Sequence, residues 1–215
     1  MTKPLKIDFV SDISCPWCVI GLRGLEEALE RTRDVVEATI AFQPFELNPQ
    51  MPPGGQNILQ HVAQKYGSSP EQSAATREMI RERAQAVGFT MAMSDRSRIY
   101  NTFDAHRLLH WAKSEGKQAA LKTALFKAYF TDGQDPSNHD VLIRVASAVG
   151  LDGERAREIL ASNTYADEVR DAEDLWQSRG IEAVPAIVIN ERYLISGGQP
   201  PETFEQAIRS IAAES

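Results

Sequence analysis

Cys15-Pro16-Trp17-Cys18 contains the only two cysteines among 215 residues. Two thiols this close can exchange with a disulfide: one attacks, and the other resolves the mixed disulfide that results. The thiolate is the reactive form, and the positive end of a helix, with its unpaired backbone amides, favours it. Such chemistry needs a strand ending just before Cys15 and a helix starting there. Leu5-Lys6-Ile7-Asp8-Phe9-Val10 alternates and is rich in branched and aromatic side chains, the pattern of a strand. From Val19 to Arg31, Leu22, Leu25 and Leu29 recur at helical spacing, with Glu26, Glu27 and Glu30 elsewhere on the cylinder. Pro16 suits a first helical turn, where no intrahelical amide is needed. Cys15 is therefore expected at an exposed cap, with Cys18 one turn inside on the same side.

Two other readings of the pair compete with redox chemistry. A structural disulfide would close a very short loop and so constrain the unfolded chain little. A structural zinc site normally needs four ligands, and no further cysteine exists. His106 and His110 are spaced to share a helix face, which keeps zinc in view, but Cys18 is followed by a long amphipathic helix and not by a knuckle turn. The strand–helix setting favours redox chemistry, and no metal is expected.

The rest of the chain bounds the answer. Hydrophobic residues make up 42% and charged residues 25%, ordinary for a soluble globular protein. A net charge of -7 without a basic stripe argues against a nucleic-acid partner. No apolar stretch is long enough to span a membrane. The opening Met1-Thr2-Lys3-Pro4-Leu5-Lys6 has no apolar signal core, so with Met1 as the native start the protein is expected to be cytoplasmic. In that reducing compartment a lone close pair is catalytic more readily than structural.

Val35 to Leu47 reads as a second strand, with Pro44 marking a bulge or an edge. Residues 48–55 are a breaker stretch. From Gln56 to about Gly180 the pattern is helical throughout, with helices predicted over 58–66, 70–87, 97–114, 118–130, 140–149, 152–160 and 165–179. Strand character returns at Val184 to Ile189 and at Tyr193 to Ser196, a hairpin turning through Asn190-Glu191-Arg192. Pro201 then opens a last helix. Two strands cannot make a stable sheet alone, so the N-terminal strands are expected to pair with the C-terminal hairpin. The fold class is α/β. Residues 1–55 and 181–215 form one discontinuous domain, and 56–180 form an inserted helical subdomain whose last helix packs on the sheet.

A thioredoxin fold split by an all-helical insertion, with Cys-Pro-x-Cys opening its first helix, resembles the DsbA-type thiol–disulfide oxidoreductases. Within them the chain is similar to the FrnE-like branch, which borders the 2-hydroxychromene-2-carboxylate isomerases and kappa-class glutathione transferases. Five segments carry the resemblance across essentially the whole chain: residues 14–21, residues 44–49, residues 101–108, Val184-Pro185-Ala186, and residues 196–200. The isomerase and transferase relatives carry serine where this chain has Cys15, and they lack the second cysteine. Keeping both favours disulfide chemistry.

The resemblance implies that Cys15 attacks and forms the mixed disulfide and that Cys18 resolves it. Pro16 and Trp17 flank the substrate cleft. Trp17 is uncharged, which leaves the helix end and backbone amides to stabilise a thiolate at Cys15. Val184-Pro185 resembles the Val–cis-Pro step that faces the redox pair, its backbone open to an extended substrate; the residues alone also permit a trans proline opening an edge strand. His106 gains a lining role in the cleft, although on an amphipathic helix it would ordinarily be a boundary residue and Arg107 a solvated one. Gln199 lies beside the cleft or simply completes a turn. Glu46 and Asn48 are placed to touch the loop below the pair. No cofactor is expected to be tightly bound; glutathione is left open as a co-substrate, with protein or small-molecule thiols and disulfides as partners. Two alternatives remain: a glutathione-dependent isomerase or transferase, and a non-catalytic peptide-binding holdase. The sequence sets no oligomeric state.

Overall fold

The computed structural model describes residues 2–214. Met1 and Ser215, the outer bounds expected for the discontinuous domain, lie outside the described residues. A four-stranded sheet is built from β1 (Lys3–Ser11), β2 (Val36–Pro44), β5 (Ala186–Ile189) and β6 (Tyr193–Ser196), in the spatial order β2-β1-β5-β6. β1 and β2 run parallel, which requires a crossover, and α1 (Pro16–Arg31) supplies it. β5 pairs antiparallel with both β1 and β6, as expected from the sequence, with Ile7 opposite Ile189 and Ile187 opposite Ile195. Asn190 and Glu191 adopt positive φ to reverse the hairpin.

Side chains on β1 alternate between two cores. Ile7 and Phe9 enter a large cluster that runs through α1 and α9 (Pro201–Glu214) into α4 (Phe103–Ser114), α5 (Gln118–Phe126), α6 (His139–Ala148) and α7 (Gly153–Leu160). Val10 faces the other way, onto Phe45, Ala186 and Trp176 of α8 (Ala166–Ser178). The central strand is thus covered on both faces and ends directly beneath the cysteines.

The region between the two halves of the sheet is not wholly helical. Gln56–Asn57 (β3) pairs antiparallel with Arg98–Ile99 (β4), flanking α2 (Ile58–Tyr66) and α3 (Pro70–Ala86). The helix expected from Ser97 begins only at Phe103, because the Asn101 side chain accepts the Phe103 amide (2.9 Å) and turns the chain. The helix expected to reach Phe130 widens after Phe126 into a π turn, Lys127–Thr131. Pro44 closes an edge strand, where its missing N–H costs nothing.

Candidate active site

Cys15 caps α1. Its backbone is extended (φ −93°, ψ 110°), Pro16 follows in the first turn, and its Sγ accepts the Cys18 amide at 3.3 Å. Sulfur here does what a serine or aspartate oxygen does at most helix starts. The cap is not exposed, however. Cys15 is 3% accessible and Cys18 fully buried, and both are free thiols. The cover over Cys15 comes from the Val184-Pro185 loop.

That loop carries a cis peptide between Val184 and Pro185. The Cys15 thiol donates to the Val184 carbonyl at 3.6 Å, while among the described residues the Val184 N–H has no partner. The Gly197 amide donates to the Pro185 carbonyl (2.8 Å), tying the loop to the turn after β6. Two glycines allow these segments to close on α1. A Cβ on Gly21 would sit 3.1 Å from Pro185 Cγ, and one on Gly198 would sit 2.8 Å from the Trp17 carbonyl oxygen. Pro16 and Trp17 are half-buried at this front. Gln199 lies in the same turn, but its amide donates to the Ser196 carbonyl (2.8 Å) and so holds the turn.

Behind the cysteines the surroundings are charged. Asp12, fully buried in the β1–α1 loop, accepts the Ser14 hydroxyl (2.8 Å) and the Leu47 amide (2.8 Å). Burial alone would raise its carboxyl. His106 opposite it and the Leu47 amide outweigh that and hold it at about 2. His106, 2% exposed, brings Nε2 to 3.5 Å from Asp12 Oδ1, an ion-pair distance without a formed hydrogen bond. Burial pushes the Cys18 thiol well up, with its contact to Cys15 adding to the rise; Lys122 pulls it back. Lys122, on α5, is itself fully buried. Burial brings its amine down to about 8, opposed by the charges of Cys18, Asp12 and Cys15. A cavity of about 220 Å³ is lined by His106, His110, Lys113, Gln118 and Lys122 together with the end of β2.

Cys15, Cys18, Pro16, Trp17, Val184 and Pro185 therefore form one constellation, with Gln199 bracing its edge. His106 stands behind the pair, beside Asp12, and lines the rear cavity. Arg107, expected to be solvated, is 4% exposed: its guanidinium donates to the carbonyls of Thr164, Ile159 and Ser162 and pairs with Asp104, so a full set of acceptors makes its burial tolerable. The segment after β2 does meet the loop below the cysteines, through the Leu47 backbone. Glu46 instead pairs with Arg170 and Asn101, and Asn48 accepts from Lys65 (2.8 Å).

The histidines are dispersed. His61 bonds to Gln56, His110 packs on the Tyr165 ring and His139 pairs with Asp104. Among the described residues no three His, Cys, Asp or Glu side chains cluster as metal ligands.

Asp12 and Lys122 went unremarked in the sequence, though each left a signal. Asp12 interrupts the apolar end of β1 three residues before Cys15. Lys122 falls on the same helical stripe as Gln118, Leu121, Leu125 and Phe126, all of them buried.

Comparison with known proteins supplies the family. Residues 6–209 match the model of the DSBA-like thioredoxin domain. The crystal structure of a probable DsbA oxidoreductase from Streptomyces coelicolor is 35% identical, superposes with a TM-score of 0.90, and covers 98% of this chain and 91% of its own. The uncharacterized protein YwbO of Bacillus subtilis is 29% identical over 97% of this chain and 96% of its own. Two more distant structures share the fold. One is a 2-hydroxychromene-2-carboxylate isomerase (16% identity, TM-score 0.73, 97% of each chain). The other is the cytosolic disulfide reductase DsbM from Pseudomonas aeruginosa (14%, TM-score 0.67, 98% and 100%), also solved with GSH. The chain belongs to the DSBA-like thioredoxin domain family.

Proposed function

We propose that this protein is a dithiol–disulfide oxidoreductase working through Cys15 and Cys18. The observation that carries the reading is the seat of Cys15: a helix cap, with the Cys18 amide 3.3 Å from its sulfur and the Val184 carbonyl 3.6 Å away. Cys15 attacks a disulfide, one substrate sulfur leaves, and a mixed disulfide remains on Cys15. Cys18 attacks Cys15, and the second substrate sulfur leaves with the electron pair of the broken bond. The free Val184 N–H beside the thiols offers an extended polypeptide a backbone bond, which supports protein disulfides as substrates. Glutathione is the small thiol we assign as exchange partner, in keeping with the GSH-bound Pseudomonas reductase of the same fold. We assign the activity to the cytoplasm, as that reductase is. Among the described residues no helix is long and apolar enough to cross a membrane.

The likeness to the isomerase favours one second reading, in which glutathione's thiol does the chemistry and the cysteines are spectators. Insulin reduction by the wild type and by Cys15→Ser, with mass mapping of Cys18→Ser after exposure to glutathione disulfide, separates the two. The oxidoreductase gives turnover that Cys15→Ser abolishes and a glutathione adduct on Cys15. Wild-type protein without turnover, together with Cys18→Ser protein without an adduct on Cys15, would sink the proposal.

A further inference from the structure

The cavity of about 220 Å³ gathers basic side chains that the exchange chemistry does not use. His106, His110 and Lys113 line it from α4, and Lys122 lines it from α5. Positions 106, 110 and 113 share one face of α4, being four and three residues apart. Among the described residues none of the four side chains makes a hydrogen bond. No carboxylate lines the cavity. Asp12 stands beside it, 3.5 Å from His106 Nε2, but its oxygens already accept from Ser14 and Leu47. Gln118 closes the wall: its amide accepts the Phe42 N–H (3.0 Å) and donates to the Phe42 carbonyl (2.9 Å). Lys122 is fully buried, with Nζ 5.0 Å from the centre of the Phe126 ring, whereas Lys113 is exposed. The cavity therefore has a basic inner end and a basic mouth, with Phe42 and Leu109 as apolar wall between them. Burying an ammonium without a partner is expensive, and an anion that accepts from it offsets that cost.

We propose that this cavity binds a short dicarboxylate of the succinate class, one carboxylate reaching Lys122 and His106 at the inner end and the other reaching Lys113 and His110 at the mouth. Size sets the upper limit. A space of about 220 Å³ holds about seven waters at ~30 Å³ each, enough for a short carbon chain and too little for a nucleotide. His106 and Lys113 lie about 10 Å apart along α4, at ~1.5 Å per residue, so a single carboxylate does not serve both. A chain carrying a carboxylate at each end does, and its methylenes lie on Phe42 and Leu109. Lys122 has a flexible stem, which lets its ammonium turn from the Phe126 ring toward the ligand. Its amine, brought down to about 8 by burial, is still chiefly cationic at neutral pH, and a carboxylate beside it favours that form further. Two ammonium groups thus meet two carboxylates. The inference is independent of the chemistry at Cys15.

Isothermal titration calorimetry of the reduced protein with succinate tests the site, with butyrate and inorganic phosphate as comparison ligands at the same ionic strength. Succinate should bind saturably at one site per chain. Butyrate has one carboxylate and phosphate cannot span both ends, so each should bind about 10-fold or more weakly. Lys122→Met should weaken succinate by about 10-fold or more, and Lys113→Ala, at an exposed position, by a smaller factor. Ala172→Leu keeps every charge but fills the cavity from α8, and should abolish binding. Circular dichroism checks that each variant is folded. Succinate should also raise the melting midpoint of the wild type and leave that of Ala172→Leu in place. No saturable binding of succinate to the wild type, or wild-type affinity in folded Lys122→Met or Ala172→Leu, would overturn the site. Butyrate or phosphate binding as tightly as succinate would overturn the dicarboxylate assignment.

Discussion

Cys15 and Cys18 lie one helical turn apart, yet they face different chemistry. Around Cys15 the polar groups are backbone: the Cys18 amide, the Val184 carbonyl and the start of α1. Around Cys18 a backbone group of Asp12, in the adjoining β1–α1 loop, is joined by a charged side chain from a distant element, Lys122 of α5. Backbone groups hold their positions whatever binds, which suits a sulfur that changes partners. Side-chain charges can gain and lose protons, which suits a sulfur that only ever meets Cys15. Under the proposed oxidoreductase function, exchange belongs to the front of the site.

The contrast is broken most directly at the front. Cys15→Ser should bring disulfide turnover down to the buffer background, and limiting iodoacetamide should label Cys15 before Cys18 in the reduced wild type, as read by peptide mass mapping. Preferential labelling of Cys18 would reverse the two roles.

At the rear, the largest stability effect is expected at Lys122. The folded protein releases this proton at about 8, the unfolded chain at 10.5. The unfolded state therefore binds more protons between those values, so stability rises with pH across that window and carries the full burial penalty below it. Lys122→Met should raise unfolding stability at neutral pH by up to about 3 kcal/mol. Denaturant titrations should show that gain shrinking as the pH approaches 10.5. A gain independent of pH would mean that the buried charge is not its source.

Asp12 works in the opposite sense. Its carboxyl titrates at about 2 in the fold against an ordinary 3.8, so its ionised form contributes about 2 kcal/mol. That contribution is complete above the ordinary value and lost as the pH falls through about 2. Asp12→Asn should destabilise at neutral pH by this order and flatten the acid limb of unfolding. Equal destabilisation at neutral and strongly acid pH would show that the carboxylate's charge is not what matters.

The smallest effect is expected where the front is braced. Gly198→Ala puts a methyl group 2.8 Å from the Trp17 carbonyl and 3.2 Å from its ring, so the turn must move off α1, at a cost of about 1 kcal/mol. Thermal unfolding measures the cost, and slower reaction with a small disulfide would show that the turn positions the Val184-Pro185 loop. An unchanged melting midpoint would mean that the turn yields freely.

What the amino-acid sequence determined by itself is local. Strand alternation before Cys15, leucine spacing after it and Pro16 between are properties of short windows, and they set the cap geometry correctly. The same local logic located α2, α6, α7 and the C-terminal hairpin to within a residue or two. It failed where a short-range competitor or a distant partner intervened: Asn101 turning the chain before α4, and β4 finding β3 across two helices. Only the tertiary structure decided which charges face Cys18. Arg107 looks like a solvated cation on an amphipathic helix, whereas Lys122 shares a helical stripe with apolar residues, and both are buried. Arg107 goes inside because the carbonyls of Ile159, Ser162 and Thr164 from another segment, together with Asp104 one turn back on α4, receive its guanidinium. Lys122 goes inside because its helix packs its Leu121–Leu125 face against the core beneath the cysteines. Helical period marks which face of a helix turns inward, but what that face meets is decided by how the helices pack, so the surroundings of Cys18 are written in the fold.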